Sequence, residues 1–227
     1  MPSLVLMKGH PGSGKSTLAS SISRTLGVPL CDKDDIRDCF QPYVAKGGAE
    51  IDWNGLSYQV LLQVVKKQLS NGISAIVDTP LARVSLYQTF KETADQFGAT
   101  LVVVECVCSN LEEWKWRTDV RGAANLGTNQ SHKPEGWEQL QDLLARYHGC
   151  WRWSTDGSTL IPCLLVVDTA GWPKVVEDQV LIKLAAHLSR AGSILSKQPE
   201  LHVVSERYRD LKDLMAAAFP ERIRGLD

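Results

Sequence analysis

The segment Gly9-His10-Pro11-Gly12-Ser13-Gly14-Lys15-Ser16-Thr17 constrains this chain more than any other. It fits the spacing G-x-x-x-x-G-K-[ST]. It lies between an apolar run, Leu4-Val5-Leu6-Met7, and a stretch from Lys15 to Leu26 in which Leu18, Ile22 and Leu26 recur at helical spacing, with Gly27 as a stop. A strand that passes through a glycine-rich turn into a helix aims backbone amides and the positive helix end at one point, which suits a polyphosphate. The glycines let that turn wrap an anion without Cβ clashes. All of Gly9 to Thr17 is therefore candidate phosphate-binding surface. Lys15 would reach the β- and γ-phosphates, and the Ser16 hydroxyl would ligate Mg²⁺. The expected cofactors are ATP and Mg²⁺, with Lys15 exposed in the cradle.

Further along, short apolar runs alternate with helical patterns. Val28–Cys31, Ile73–Val77, Leu101–Val107 and Leu164–Val167 read as strands. Helices are expected over Trp53–Ser70 (Asp52 as cap, Gly72 just past the end), Val84–Phe97 (closed by Gly98) and Val175–Leu188. Alternation of this kind implies an α/β fold: three layers, αβα, around a central five-stranded parallel sheet with right-handed crossovers. The run Leu101–Val107, continuous in Val, should be covered on both faces. Between the fourth and fifth strands lies an excursion of about residues 110–158, rich in Trp, Arg and Gly, which reads as a lid and acceptor-binding insert. A closing helical tail is expected at about 199–227, with Leu211, Leu214 and Met215 on its packing face. The 227 residues suit one domain.

Composition narrows the function. With 25 basic and 26 acidic side chains, a net charge of -1 and 44% hydrophobic residues, the chain can bury a core. It lacks the basic excess of a broad nucleic-acid binder; a local basic groove stays open. No apolar run approaches the ~20 residues a bilayer span needs, and the N-terminal stretch reads as neither signal nor transit peptide. The six cysteines show no CxxC pair or finger spacing and read as reduced structural thiols. Cys106 and Cys108, two apart, should share a strand face. Together these features point to a cytoplasmic protein, a monomer or weak homo-oligomer.

Asp32-Lys33-Asp34-Asp35-Ile36-Arg37 follows the second strand, where loops line the ligand crevice of an open parallel sheet. A carboxylate there can take the proton of an attacking hydroxyl, and Arg37 can hold an anionic group of the acceptor. The competing reading is a helix cap at Asp34 or Asp35 with a solvated arginine. The third strand ends in Asp78-Thr79.

The phosphate loop, the D-x-D-D-I-R segment and the D-T pair resemble the phage-type polynucleotide 5′-kinase, zeta-toxin and chloramphenicol-phosphotransferase branch of P-loop kinases, over about residues 1–125. The resemblance implies that Asp34 is the general base, that Arg37 contacts the acceptor, and that Asp78 and Thr79 lie near the acceptor hydroxyl and the Mg²⁺ waters. In this branch Glu112 to Gly122 corresponds to the lid. Arg117 and Arg121, four apart, share a helix face and would close over the transferring phosphoryl group. An exposed helix face with a Glu113–Arg117 ion pair is the plainer account of the same spacing.

Asp168-Thr169-Ala170-Gly171 matches a GTPase switch signature, but it ends the last strand and no N-K-x-D motif accompanies it. Asp168 to Pro173 is read instead as shaping the base pocket. Trp137, Tyr147, Trp151 and Trp153 can stack on a ligand ring or fill the core. His132 and His148 have no partner at metal-ligand spacing. The leading expectation is an ATP-dependent kinase that phosphorylates a hydroxyl of a small metabolite or nucleoside-like acceptor. A polynucleotide 5′-hydroxyl kinase and a regulatory nucleotide-binding protein without acceptor are the alternatives.

Overall fold

The computed structural model describes residues 1–44, 50–126, 128, 130, 133–171 and 173–190. The tail expected at 199–227, with Leu211, Leu214 and Met215, lies outside the described residues, as does His132. At the centre, β1 (Ser3–Lys8) is buried along its whole length, because a middle strand of a parallel sheet is covered by helices on both faces. It feeds through the glycine loop into α1 (Lys15–Leu26), which stops at Gly27 in the left-handed conformation. The rest follows as β2 (Leu30–Asp32), α2 (Lys33–Val44), α3 (Trp53–Ser70), β3 (Ala75–Asp78), α4 (Val84–Gln96) and β4 (Thr100–Val107). After these come α5 (Leu111–Asn125), α6 (Trp137–Arg146), a 3₁₀ turn (Cys150–Ser154), β5 (Leu164–Asp168) and α7 (Pro173–Arg190).

The five strands run in the order β2-β3-β1-β4-β5, and every neighbouring pair is parallel. The expected three-layer architecture is present. One face is covered by α1 and α7, which bury Leu18, Ile22, Val180 and Leu184 against Val5, Met7, Val102 and Val104. The other is covered by α3 and α4, whose Leu61, Val65, Tyr87 and Phe90 meet Leu4, Leu6, Val77 and Val103. β1 sits where the strand order reverses, so its glycine loop opens at the switch point where open α/β sheets bind ligands.

Three local readings change. The segment after β2 is not a loop: α2 starts at Lys33, and the Asp32 carboxylate accepts the Asp34 N–H at 2.7 Å. Asp32 therefore caps the helix, not Asp34 or Asp35. The helix was hidden by a polar composition and by Pro42 in its last turn. β3 begins at Ala75 and leaves Ile73 exposed. β4 ends at Val107, so Cys108 leaves the strand and turns toward the lid while Cys106 is buried.

Part of the excursion is core. Trp153 is buried, stacks on Tyr87 with ring centroids 4.8 Å apart, and donates its indole N–H to the Leu81 carbonyl at 3.1 Å. Beside it the buried Lys8 and Glu105 form an ion pair across β1 and β4, and Ser154 Oγ donates to Glu105 at 2.6 Å. That second hydrogen bond matters, because a buried carboxylate with one partner removed is strongly destabilising. The 3₁₀ turn is thereby fixed to the end of the sheet.

Candidate active site

The carboxyl ends of β1, β2 and β3, the start of α1 and the α5 face enclose one cleft of about 790 Å³. Gly9, His10, Pro11, Gly12, Gly14, Lys15, Ser16 and Thr17 line it, with Ser13 buried beneath. The loop needs its glycines. Gly12 and Gly14 have φ of 79° and 77°, and a Cβ on Gly12 would strike Thr118 Oγ1 and come within 3.1 Å of the Trp114 ring. Ser13 Oγ, buried under the cradle, has no hydrogen-bond partner among the described residues.

Lys15 is not exposed as expected. Its side chain retains 11% exposure and its ammonium is ion-paired with Asp78, which is fully buried at the end of β3. A buried carboxylate needs a cation, and the strand geometry brings this one to it. The second Asp78 oxygen, Oδ2, has no hydrogen-bond partner among the described residues. Asp32 stands opposite Asp78 in the β2–β3 register. Burial, and then the Asp78 charge, raise the Asp32 pKa to about 6. Thr79 is buried against the Tyr58 hydroxyl, 3.1 Å away.

Asp34 projects from the first turn of α2 into the same cleft. Its Oδ1 meets Lys33 Nζ at 2.6 Å and its Oδ2 meets Lys133 Nζ at 3.3 Å. Arg37 sits one turn further along α2, outside the cleft lining, with Nη1 donating to Gln41 at 3.5 Å. The structure brings Lys15, Asp34, Asp78 and Thr79 together and leaves Arg37 apart.

The two arginines of α5 divide in an unexpected way. Arg117 and Arg121 both line the cleft from α5. The Arg117 guanidinium is already engaged: it pairs with Glu113 and donates to Thr169 Oγ1 at 3.2 Å and to the Thr169 carbonyl at 2.9 Å. Arg121 has Nε and Nη2 buried with no hydrogen-bond partner among the described residues. Burial lowers its pKa while the Asp34 charge raises it.

Several contributors lie outside the expected set. Trp114 donates its indole N–H to the Pro11 carbonyl at 2.9 Å, pinning the lid to the phosphate loop, and packs edge-on against Trp137. Trp151 meets His10 edge-on at 4.7 Å, so Trp137 and Trp151 serve a cluster above the loop. Thr169 Oγ1 donates to the Ser13 carbonyl at 2.8 Å, tying β5 to the cradle. Asp168 is low in pKa despite partial burial, because Ser109 and the Ala170 N–H donate to it. Asp32 and Lys33 open the D-x-D-D-I-R segment and Trp114 lies in the Glu112–Gly122 stretch, but none of them was given a role of its own. Nothing in the spacing tied Lys133 to Asp34.

A strand–glycine loop–helix at the switch point of a parallel αβα sheet, with charged groups converging on it, defines a P-loop protein of the kinase-type fold. The chain belongs to the family described as an AAA domain, which matches residues 4–149. No curated protein matches the sequence. Among solved structures, the fold is similar to a gluconokinase from Sinorhizobium meliloti 1021, at 18% identity and a TM-score of 0.55, covering 83% of this chain and 95% of that one. It is also similar to a sugar kinase from Janibacter sp. HTCC2649, at 16% identity and a TM-score of 0.53, covering 81% and 95%. A protein from Chloroflexus aurantiacus j-10-fl, proposed to be a kinase, aligns at 20% identity and a TM-score of 0.55 over 79% and 96%. No described helix is long and apolar enough to cross a membrane.

Proposed function

We propose that this chain is an ATP-dependent phosphotransferase that moves the γ-phosphoryl group to a hydroxyl of a small metabolite. One observation carries the reading: a phosphate cradle, an Arg121 guanidinium with buried donors that lack a partner among the described residues, and a cluster of strand-end carboxylates share one cleft. The cradle and Lys15 hold the triphosphate, Arg121 neutralises charge developing on the transferred group, and Asp34 takes the acceptor proton. A kinase needs both halves; a nucleotide switch needs only the first. The names of the similar folds, a gluconokinase and a sugar kinase, agree with a small hydroxylated acceptor.

The donor set fits Mg²⁺. The Ser16 hydroxyl lies at the helix start, Asp78 lines the same cleft with an Oδ2 that has no hydrogen-bond partner among the described residues, and both are hard oxygen donors. Among the described residues no three acidic, His or Cys side chains close into a cage, as befits an ion held largely by phosphates and water. The ion would supply charge neutralisation on the β- and γ-oxygens.

The test is a metabolite extract incubated with γ-labelled ATP, Mg²⁺ and the protein. The expected result is label in a small hydroxylated compound, lost in Asp34→Asn. Label appearing only as inorganic phosphate would favour the regulatory nucleotide-binding alternative. Label transferred to an oligonucleotide 5′ end and to no metabolite would favour the polynucleotide kinase.

A further inference from the structure

Asp34 is held between two lysines that are not equivalent. Lys33 is buried; besides Asp34 Oδ1 it donates to Asn54 Oδ1 at 3.4 Å and lies 5.8 Å from the centre of the Tyr58 ring. It is built into the α2–α3 junction. Lys133 comes from the lid side, lines the cleft, and makes two long contacts: 3.3 Å to Asp34 Oδ2 and 3.3 Å to Gln130 Oε1. A hydroxyl that gives its proton to Asp34 must reach one carboxylate oxygen. Oδ1 faces the buried Lys33 and Oδ2 faces Lys133 on the cleft lining, so a hydroxyl that approaches from the cleft arrives at Oδ2 and competes with Lys133 for it.

The displaced ammonium has only 19% side-chain exposure. It keeps the contact to Gln130 Oε1 but loses its counter-charge, which is costly for a poorly hydrated ammonium. A neutral hydroxyl offers it an acceptor but no counter-charge; an acceptor carrying its own anion restores the charge pair. We infer that the acceptor is an anionic alcohol, a hydroxyl compound bearing a carboxylate or phosphate that Lys133 binds after yielding Asp34 Oδ2. This inference rests on the kinase reading above and names the substrate class of the same site.

The experiment separates a metabolite extract on an anion exchanger into a flow-through and a retained fraction. Each is incubated with γ-labelled ATP, Mg²⁺ and the full chain. Label is expected in a compound of the retained fraction. Alkaline phosphatase treatment of that fraction beforehand, followed by removal of the phosphatase, distinguishes the two anions: a carboxylate acceptor survives, a phosphate ester does not. With the labelled compound, Lys133→Gln should raise the acceptor KM by roughly tenfold or more, as loss of a charged hydrogen bond implies. The ATP KM should stay within about twofold, and Lys133→Arg should recover much of the loss. An acceptor found in the flow-through, or an acceptor KM unchanged in a folded Lys133→Gln protein, overturns the inference. Label in neither fraction overturns the kinase reading itself, and the inference with it.

Discussion

The two ends of the cleft are built from different materials. The triphosphate end is backbone: a turn with glycines at positive φ, a helix N-terminus, and indole and hydroxyl groups that pin its carbonyls. The end proposed for the acceptor is made of side chains, Asp34, Lys33, Lys133 and Arg121, brought from α2, α5 and the segment before α6. Backbone donors survive any substitution short of proline, whereas charged side chains can be removed one at a time. The contrast predicts that single substitutions will abolish transfer far more easily than they abolish nucleotide binding.

The largest effect is expected at Asp34. Asp34→Asn keeps size and most hydrogen bonding but cannot take a proton, so transfer should fall ~10²–10⁴-fold. ATP·Mg²⁺ binding should stay near that of the parent, measured by titration beside an acceptor-dependent ADP-release assay. Since Asp32 is the helix cap, a loss at Asp34 cannot be assigned to capping. Parental transfer by Asp34→Asn would move the base to Asp78 or Asp32.

Lys15→Ala comes next and blurs the contrast, because it strikes binding and stability together. Transfer should drop at least ~10²-fold through lost transition-state electrostatics. The fully buried Asp78 also loses its cation, so the thermal midpoint should fall, unlike that of a surface variant. A double variant, Lys15→Ala with Asp78→Asn, should recover stability without recovering transfer. If the single variant melts like the parent, the Lys15–Asp78 pair is structurally idle.

The same contrast explains what was legible in the sequence. Gly12 and Gly14 announce themselves because both sit at positive φ, and at Gly12 the closeness of Trp114 and Thr118 leaves no room for a side chain, and the φ requirement is local. The fold followed from alternating patterns, since burial of a parallel strand leaves a continuous apolar run. Long-range pairings were not legible. Nothing in the spacing joins Lys133 to Asp34, Trp114 to Pro11, or Thr169 to Ser13. Trp153 and Trp151, two residues apart, divide between core and site because only packing assigns a tryptophan. Arg37 was drawn in by its position after an acidic run, but the turn of α2 carries it to Gln41.

A smaller effect separates the two lid arginines. Arg121 lines the cleft and has buried donors with no hydrogen-bond partner among the described residues, so Arg121→Lys should be nearly as harmful as Arg121→Ala, lowering kcat by roughly tenfold to a hundredfold. Arg117 is engaged with Thr169 and Glu113. Arg117→Ala should loosen the β5 connection to the cradle and raise the ATP KM more than it lowers kcat. Steady-state kinetics on the four Ala and Lys variants decide it; identical kcat losses at both positions would make the arginines a single clamp.

The smallest effect is on stability against pH, and it tests whether the backbone end stays closed. His10 sits in the phosphate loop between Trp114 and Trp151. Burial, and then the Lys8 charge, lower its pKa from 6.5 to about 4. Between those values the unfolded chain takes up a proton that the folded chain refuses, so this residue makes the fold less stable as pH falls from 6.5 toward 4. The full effect is on the order of 3 kcal/mol, reached only below both values. Asp32 works in the opposite direction: with its pKa raised from 3.8 to about 6, it favours the folded state at low pH, and that contribution is lost as pH rises through about 6. Removing the imidazole should leave the Asp32 contribution unopposed. His10→Phe keeps a ring against the two indoles and cannot titrate, so its melting temperature should drop less than that of the parent between about pH 7 and about pH 5. Equal drops in the two proteins would mean that His10 takes up its proton in the folded chain, which requires the ring cluster above the loop to open near neutral pH.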